Sequence, residues 1–146
     1  MITRMDNVGI VFEDLDAGVA FFAGLGMRLE SRGPVRGRWA ERVVGLDDMS
    51  LDVAMMRTPD GHGRLELMQF HSPAAVSGGP ASPPANALGI RRIMFAVDDI
   101  DAEVAGLRER GVQLVGEVVR YEDLYKLCYV RGPEGIIVAL AEQLQP

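Results

Sequence analysis

The chain is poor in the residues that would place it outside a reducing compartment or on a polyanion. It holds one cysteine, Cys128, among 146 residues, so no internal disulfide can close, which makes the cytoplasm the expected location. No apolar run approaches the ~20 residues needed to span a bilayer. The start, MITRMDNVGIVFEDLD, turns acidic at once and lacks the basic-then-apolar order of a signal peptide. Lys and Arg number 15 against 21 Asp and Glu, a formal charge of −6. A nucleic-acid partner needs a basic patch that displaces counterions from phosphates, and an anionic membrane surface needs much the same. The one local basic cluster, Arg32, Arg36 and Arg38, is interrupted by glycines and a proline and reads as a solvated loop. Histidines are two, His62 and His71, one in a turn and one at a strand end, and both read as surface or rim residues.

What remains is ordinary globular composition, with 48% apolar and 25% charged residues, enough for one domain with a real core. Cys128 sits in the run LCYV and reads as a buried, inert thiol.

The chain also repeats itself. VGIVFEDLDA (Val8 to Ala17) overlays IMFAVDDIDA (Ile93 to Ala102) at an offset of 85 residues, which pairs Asp14 with Asp99, Asp16 with Asp101 and Gly26 with Gly111. RTPDG (Arg57 to Gly61) matches RGPEG (Arg131 to Gly135) at an offset of 74. Duplication of one supersecondary unit explains both matches. In the first copy, Val8, Ile10 and Phe12 alternate with Asn7, Gly9 and Val11 as in a half-buried strand. Asp14 and Asp16 are N-cap candidates for a helix carrying Val19, Phe22 and Leu25, stopped at Gly26. The second copy repeats this from Ile90 to Val97, with a cap at Asp99 or Asp101, a helix through Val104 and Leu107, and a stop at Gly111. Three strands should follow each helix. The first set is expected near Met27 to Glu30, Trp39 to Gly45 with Leu51 to Arg57, and Arg64 to Phe70. The second is expected near Gln113 to Val119, Tyr125 to Arg131, and Ile136 to Glu142. The Pro-Asp-Gly and Pro-Glu-Gly turns join the last two strands of each copy. The predicted organisation is one α+β domain, 1–146, of two βαβββ modules, 1–70 and 89–146. Residues 71–88, rich in Pro, Gly, Ser and Ala, form the connector, with a lid over a pocket as the alternative.

Two βαβββ units, with EDLDA or DDIDA after the first strand and PDG or PEG before the last, resemble the vicinal oxygen chelate superfamily of glyoxalase I, extradiol dioxygenases and bleomycin resistance proteins. The resemblance implies sheets curled around a cleft, often completed in a homodimer. In the family's metal enzymes, the first and last strand of each unit contribute one ligand apiece to a divalent ion. Those positions here are Asn7, Glu66, Arg92 and Ala139. Asn is a poor neutral ligand, Arg cannot deprotonate and Ala has no donor atom, so the resemblance implies the fold without the metal, and no cofactor is expected.

If these four residues face the cleft, alternation adds Gly9, Val11, Met68, Phe70, Met94, Ala96 and Ala141 to it. The opposite set, from Val8, Ile10 and Phe12 to Val138 and Leu140, becomes core. Tyr121 is a further wall candidate, Tyr129 reads as core, and Trp39 fits pocket or core equally. Arg92 could stand opposite Glu66 as an ion pair in place of the metal. The expected function is sequestration of an apolar or aromatic small molecule, a drug or natural product, as in the bleomycin-binding branch. The alternative is a lyase, isomerase or dioxygenase with an atypical metal site, or with metal-free acid–base chemistry at Glu66.

Overall fold

A computed structural model describes residues 1–144. The first unit contains β1 (Val8–Val11), α1 (Leu15–Gly24), β2 (Arg28–Arg36), α2 (Arg38–Val44), β3 (Ser50–Arg57) and β4 (Arg64–Ser72). The second contains β5 (Arg92–Val97), α3 (Ile100–Glu109), β6 (Val119–Tyr121), β7 (Tyr125–Arg131) and β8 (Ile137–Gln143). Each unit folds one open, mixed four-stranded sheet, ordered β1-β4-β3-β2 in the first and β5-β8-β7-β6 in the second. In both, the first strand runs parallel to the last, and the other pairings are antiparallel. The architecture is therefore the expected α+β pair of βαβββ modules. The chain divides into compact units after Gly78. Among the described residues no helix is long and apolar enough to cross a membrane.

The duplicated acidic motif has a division of labour. Asp14 and Asp99 are the N-caps, accepting from the backbone N–H of Ala17 (3.2 Å) and Ala102 (3.0 Å). Asp16 and Asp101, the other cap candidates, lie inside the first turn and pair with Arg32 (2.6 Å) and Lys126 of their own sheets. Between them Leu15 and Ile100 are completely buried. Their N–H groups, left without a partner in the helix, donate to Gln69 Oε1 (3.0 Å) and Glu142 Oε2 (2.9 Å). Gln69 and Glu142 occupy equivalent places on the last strand of each unit, so each helix start is tied to its sheet twice. Gly26 and Gly111 follow the helices with φ of +102° and +80°, the left-handed stop that favours glycine.

The repeated Arg-x-Pro-x-Gly segment is a structural brace. Arg57 Nη1 donates to the carbonyl of Gly61 (2.7 Å) and Arg131 Nη1 to that of Gly135 (2.9 Å), so each arginine braces the turn before the last strand. Arg131 Nη1 also reaches the Pro83 carbonyl (2.8 Å), anchoring part of the connector to the second unit.

Three sequence expectations need correction. Residues Trp39 to Gly45 form helix α2, not strand: Ala40, Glu41 and Arg42 favour helix, and Gly45 ends it at φ +80° with its N–H on the Glu41 carbonyl. The segment of Arg32 and Arg36 is not a loop. Strand β2 continues to Arg36, past a bulge at Glu30, because β2 is an edge strand, where Pro34 removes no needed donor. In the second unit, Gln113 to Val119 makes only the Leu114–Val130 bridge, and pairing as a strand starts at Val119.

Each helix covers one face of its sheet. Helix α1 packs on β3 and β4, where Ala54, Met56, Leu65 and Leu67 are buried with Phe12 and Phe22. Gly18 lets α1 approach Phe12 closely, since a Cβ there would lie 3.0 Å from the Phe12 ring. In the second unit Val104 and Leu107 of α3 are buried along with Val138 and Leu140 of β8.

Candidate functional site

The faces opposite α1 and α3 carry the candidate site residues, and the two units treat this face differently. In the first unit the register places Gly9 beside Glu66 and Val11 beside Met68, with Met55 beside Glu66 and Leu51 beside Phe70. Asn7 lies just before β1, half-buried, its Nδ2 donating to Asp6 (3.4 Å). Glu66 is half-buried. Met68 and Phe70 are partly buried. They pack with Val35 and Val53 against the buried cluster of Ala40, Met49 and Leu51, so α2 roofs this end of the face. Trp39, on the same helix, is 66% exposed, so it is not core.

In the second unit, Arg92 sits beside Ile137 and Met94 beside Ala139, and Ala139 also neighbours Tyr129. Ala139 is fully buried there, while Met94 is 49% exposed. The Arg92 guanidinium lies 5.3 Å from the Tyr129 ring centroid, within the range of a cation–π contact. The partner it finds within its own unit is therefore aromatic. Arg92 itself is exposed.

Next to this contact an open groove of about 590 Å³ is lined by Val115, Gly116, Glu117, Val119, Tyr121, Leu127, Cys128 and Tyr129. Tyr121 is the one sequence candidate that lines it, at 57% exposure. Tyr129 was expected as core and is half-buried at the groove instead. Val115, Glu117, Val119 and Leu127 were missed. Their signal was present in the alternation of Leu127 and Tyr129 with buried Cys128 and Val130, and in Gly116, which breaks the strand and lets the chain lie along the groove. Burial pushes the Cys128 thiol above its ordinary value of 9.0, against the opposing pull of Arg108, so it stays protonated near neutrality.

The donor set at the four ligand positions does not suit a divalent cation: one carboxylate, one amide, one methyl group and a guanidinium already engaged with a ring. Among the described residues no three His, Cys, Asp or Glu side chains gather as a metal cluster. His71 Nε2 meets Asp52 Oδ2 at 3.0 Å and His62 lies in the turn before β4.

The family model of the glyoxalase/bleomycin resistance protein/dioxygenase superfamily matches residues 4–140. A crystal structure of a glyoxalase family protein from Bacillus cereus is 50% identical, with a TM-score of 0.95 over 99% of this chain and 97% of that one. The uncharacterized protein YwbC of Bacillus subtilis is 24% identical over 92% of this chain and 94% of its own length. TnmS3, an antibiotic binding protein from Streptomyces sp. CB03234, shares the fold at 19% identity and a TM-score of 0.61, covering 97% of both chains.

Proposed function

Because the chain belongs to the glyoxalase/bleomycin resistance protein/dioxygenase superfamily, we propose that it is a small-molecule binding protein that holds a flat apolar or aromatic ligand without a catalytic metal. The observation that carries this reading is the groove on the second unit. Its volume lies within the range of small-molecule sites, and its lining of aliphatic and tyrosine side chains with one carboxylate, Glu117, suits apolar contact with few polar handles. Tyr121 and Tyr129 supply ring faces, and Arg92 of β5 lies over the Tyr129 ring. The antibiotic-binding relative supports the sequestering form of the reading, with a drug or natural product as ligand. In the enzymatic alternative Glu66 would serve as acid–base group. It lies between Gly9 and Met55, without the grouped acids or histidines of a metal site among the described residues. The proposed setting is a homodimer in the cytoplasm, in keeping with exposed sheet edges and a single cysteine.

The test is calorimetric titration of the purified protein with bleomycin and a panel of polycyclic aromatic natural products, alongside Val119→Asp and Tyr121→Ala. A member that binds the parent protein and loses affinity in both variants supports the proposal. Turnover of any member, or binding unaffected by both variants, refutes it.

A further inference from the structure

Across the first sheet, Arg28, Arg57 and Arg64 stand in one row, paired in register from β2 through β3 to β4. Like charges placed directly opposite each other destabilise a ladder, so the row needs anions. One carboxylate answers it. Glu30, in the bulge of β2, accepts from Arg57 Nε (3.1 Å) and Nη2 (2.8 Å) and more distantly from Arg64 Nη2 (3.4 Å). Asp6 also acts on Arg57, but its carboxylate is engaged by Arg4 (3.2 Å) and Asn7 (3.4 Å). Glu66 lies on the same face, two residues along β4 from Arg64.

The donors divide unequally. Arg57 spends its own on Glu30 and the Gly61 carbonyl. Arg64 Nε is buried and has no acceptor, a condition that costs free energy unless a partner arrives. The Arg28 side chain is exposed and makes no ion pair or hydrogen bond among the described residues. Two guanidinium groups with unused donors thus flank a third that is paired with Glu30.

We infer that Arg28 and Arg64 form an oxyanion-binding site on the first unit, which takes the carboxylate or phosphate group of a small ligand. Planar guanidinium forks match either oxyanion with paired, charge-assisted hydrogen bonds. The Glu30–Arg57 pair keeps the row in place when the site is empty. The inference rests on the first unit alone and does not depend on the groove of the second.

The experiment titrates the 15N-labelled full chain with sodium phosphate and, separately, sodium benzoate, at constant ionic strength balanced with chloride. The Arg64 Nε–Hε resonance and the heat of binding are followed. A saturable shift at Arg64 is expected with at least one probe. Arg28→Gln should weaken it about tenfold, the loss of one charge-assisted hydrogen bond. Arg28 is exposed and unpaired, so this variant should fold as the parent does. Arg64→Lys, which keeps the charge but removes Nε, should weaken binding similarly by calorimetry. Tighter benzoate assigns a carboxylate on an apolar body, and tighter phosphate assigns a phosphoryl group. No saturable shift with either probe, or equal affinity in the parent and in Arg28→Gln, overturns the inference.

Discussion

Replacing Glu142 with Ala tests how each helix is fixed to its sheet. Glu142 Oε2 accepts the N–H of Ile100, the first residue of α3, at 2.9 Å, and the residue beside that N–H is fully buried. A hydrogen bond to a charged group contributes about 1.5–3 kcal/mol, and an acid at a helix N-terminus adds about 0.3–1 kcal/mol. The bond is only partly buried, which favours the lower end, so Glu142→Ala should cost about 2 kcal/mol. Glu142→Gln keeps an acceptor and loses the charge, for about 0.5 kcal/mol. Gln69→Ala, the equivalent change under α1, removes a neutral bond and should cost about 1 kcal/mol. Fluorescence can separate the units, because the one tryptophan, Trp39, lies in the first and all three tyrosines, Tyr121, Tyr125 and Tyr129, lie in the second. In urea titrations Glu142→Ala should lower the tyrosine-detected midpoint, and Gln69→Ala the tryptophan-detected one. Equal costs for Glu142→Ala and Glu142→Gln, both under about 0.3 kcal/mol, would refute the assignment of these side chains as helix anchors.

Gly18→Ala should destabilise the first unit by about 1–3 kcal/mol, since the added methyl would press on the Phe12 ring; thermal melts will show it. Arg92→Ala should cost only about 0.5–1 kcal/mol, the worth of an exposed cation–π contact, and a double-mutant cycle with Tyr129→Leu should recover most of that as coupling. The Glu30 carboxyl is held below its ordinary value of 4.5, chiefly by its hydrogen bond to Arg57. Its contribution is therefore present above that pH and lost as pH falls below it, and acid titration of Glu30→Gln should show a shallower loss than the parent. Cys128, buried and with its pKa raised, should react slowly with iodoacetamide in the native chain and quickly in urea.

The sequence carried the fold because duplication doubled every local signal. Asp-x-Asp after a strand, a glycine stop and the Arg-x-Pro-x-Gly turn each occur twice, and each proves to be a cap with an ion pair, a left-handed residue and a braced hairpin. Alternation also assigned the faces correctly: Val8 and Ile10 are more buried than Gly9 and Val11, and Ile93, Phe95 and Val97 more than Arg92, Met94 and Ala96. Helix α2 was illegible because it has no counterpart in the second copy, and its seven residues include the β-branched pair Val43 and Val44, which suggest strand. The candidate site was only partly legible. Tyr121, a wall candidate, lines the groove, whereas Leu127 and Tyr129 line it without having been assigned to a wall, because a half-buried strand residue has the same period whether it faces core or groove.

The unpaired helix also explains why the two modules offer different surfaces. Both begin with the same strand order, and both would expose an apolar face opposite their first helix. In the first unit α2 interrupts the chain between β2 and β3, and Ala40 and Met49 close over Leu51, Val53, Met68 and Phe70. The arginine row lies toward the other end of this face. In the second unit the corresponding strands β6 and β7 are joined by Glu122, Asp123 and Leu124 alone. Nothing in that short turn can roof the sheet, so Val119 and Tyr121 remain half or more exposed and the groove forms beside them. The insertion that covers one apolar face thus leaves an arginine row on the first module and an open apolar groove on the second. Shortening Gly37 to Gly45 to a three-residue turn should expose Met68 and Phe70. That would be read as increased binding of an environment-sensitive apolar dye, with the second-unit groove unchanged. If dye binding did not rise, α2 would not be the roof that separates the two surfaces.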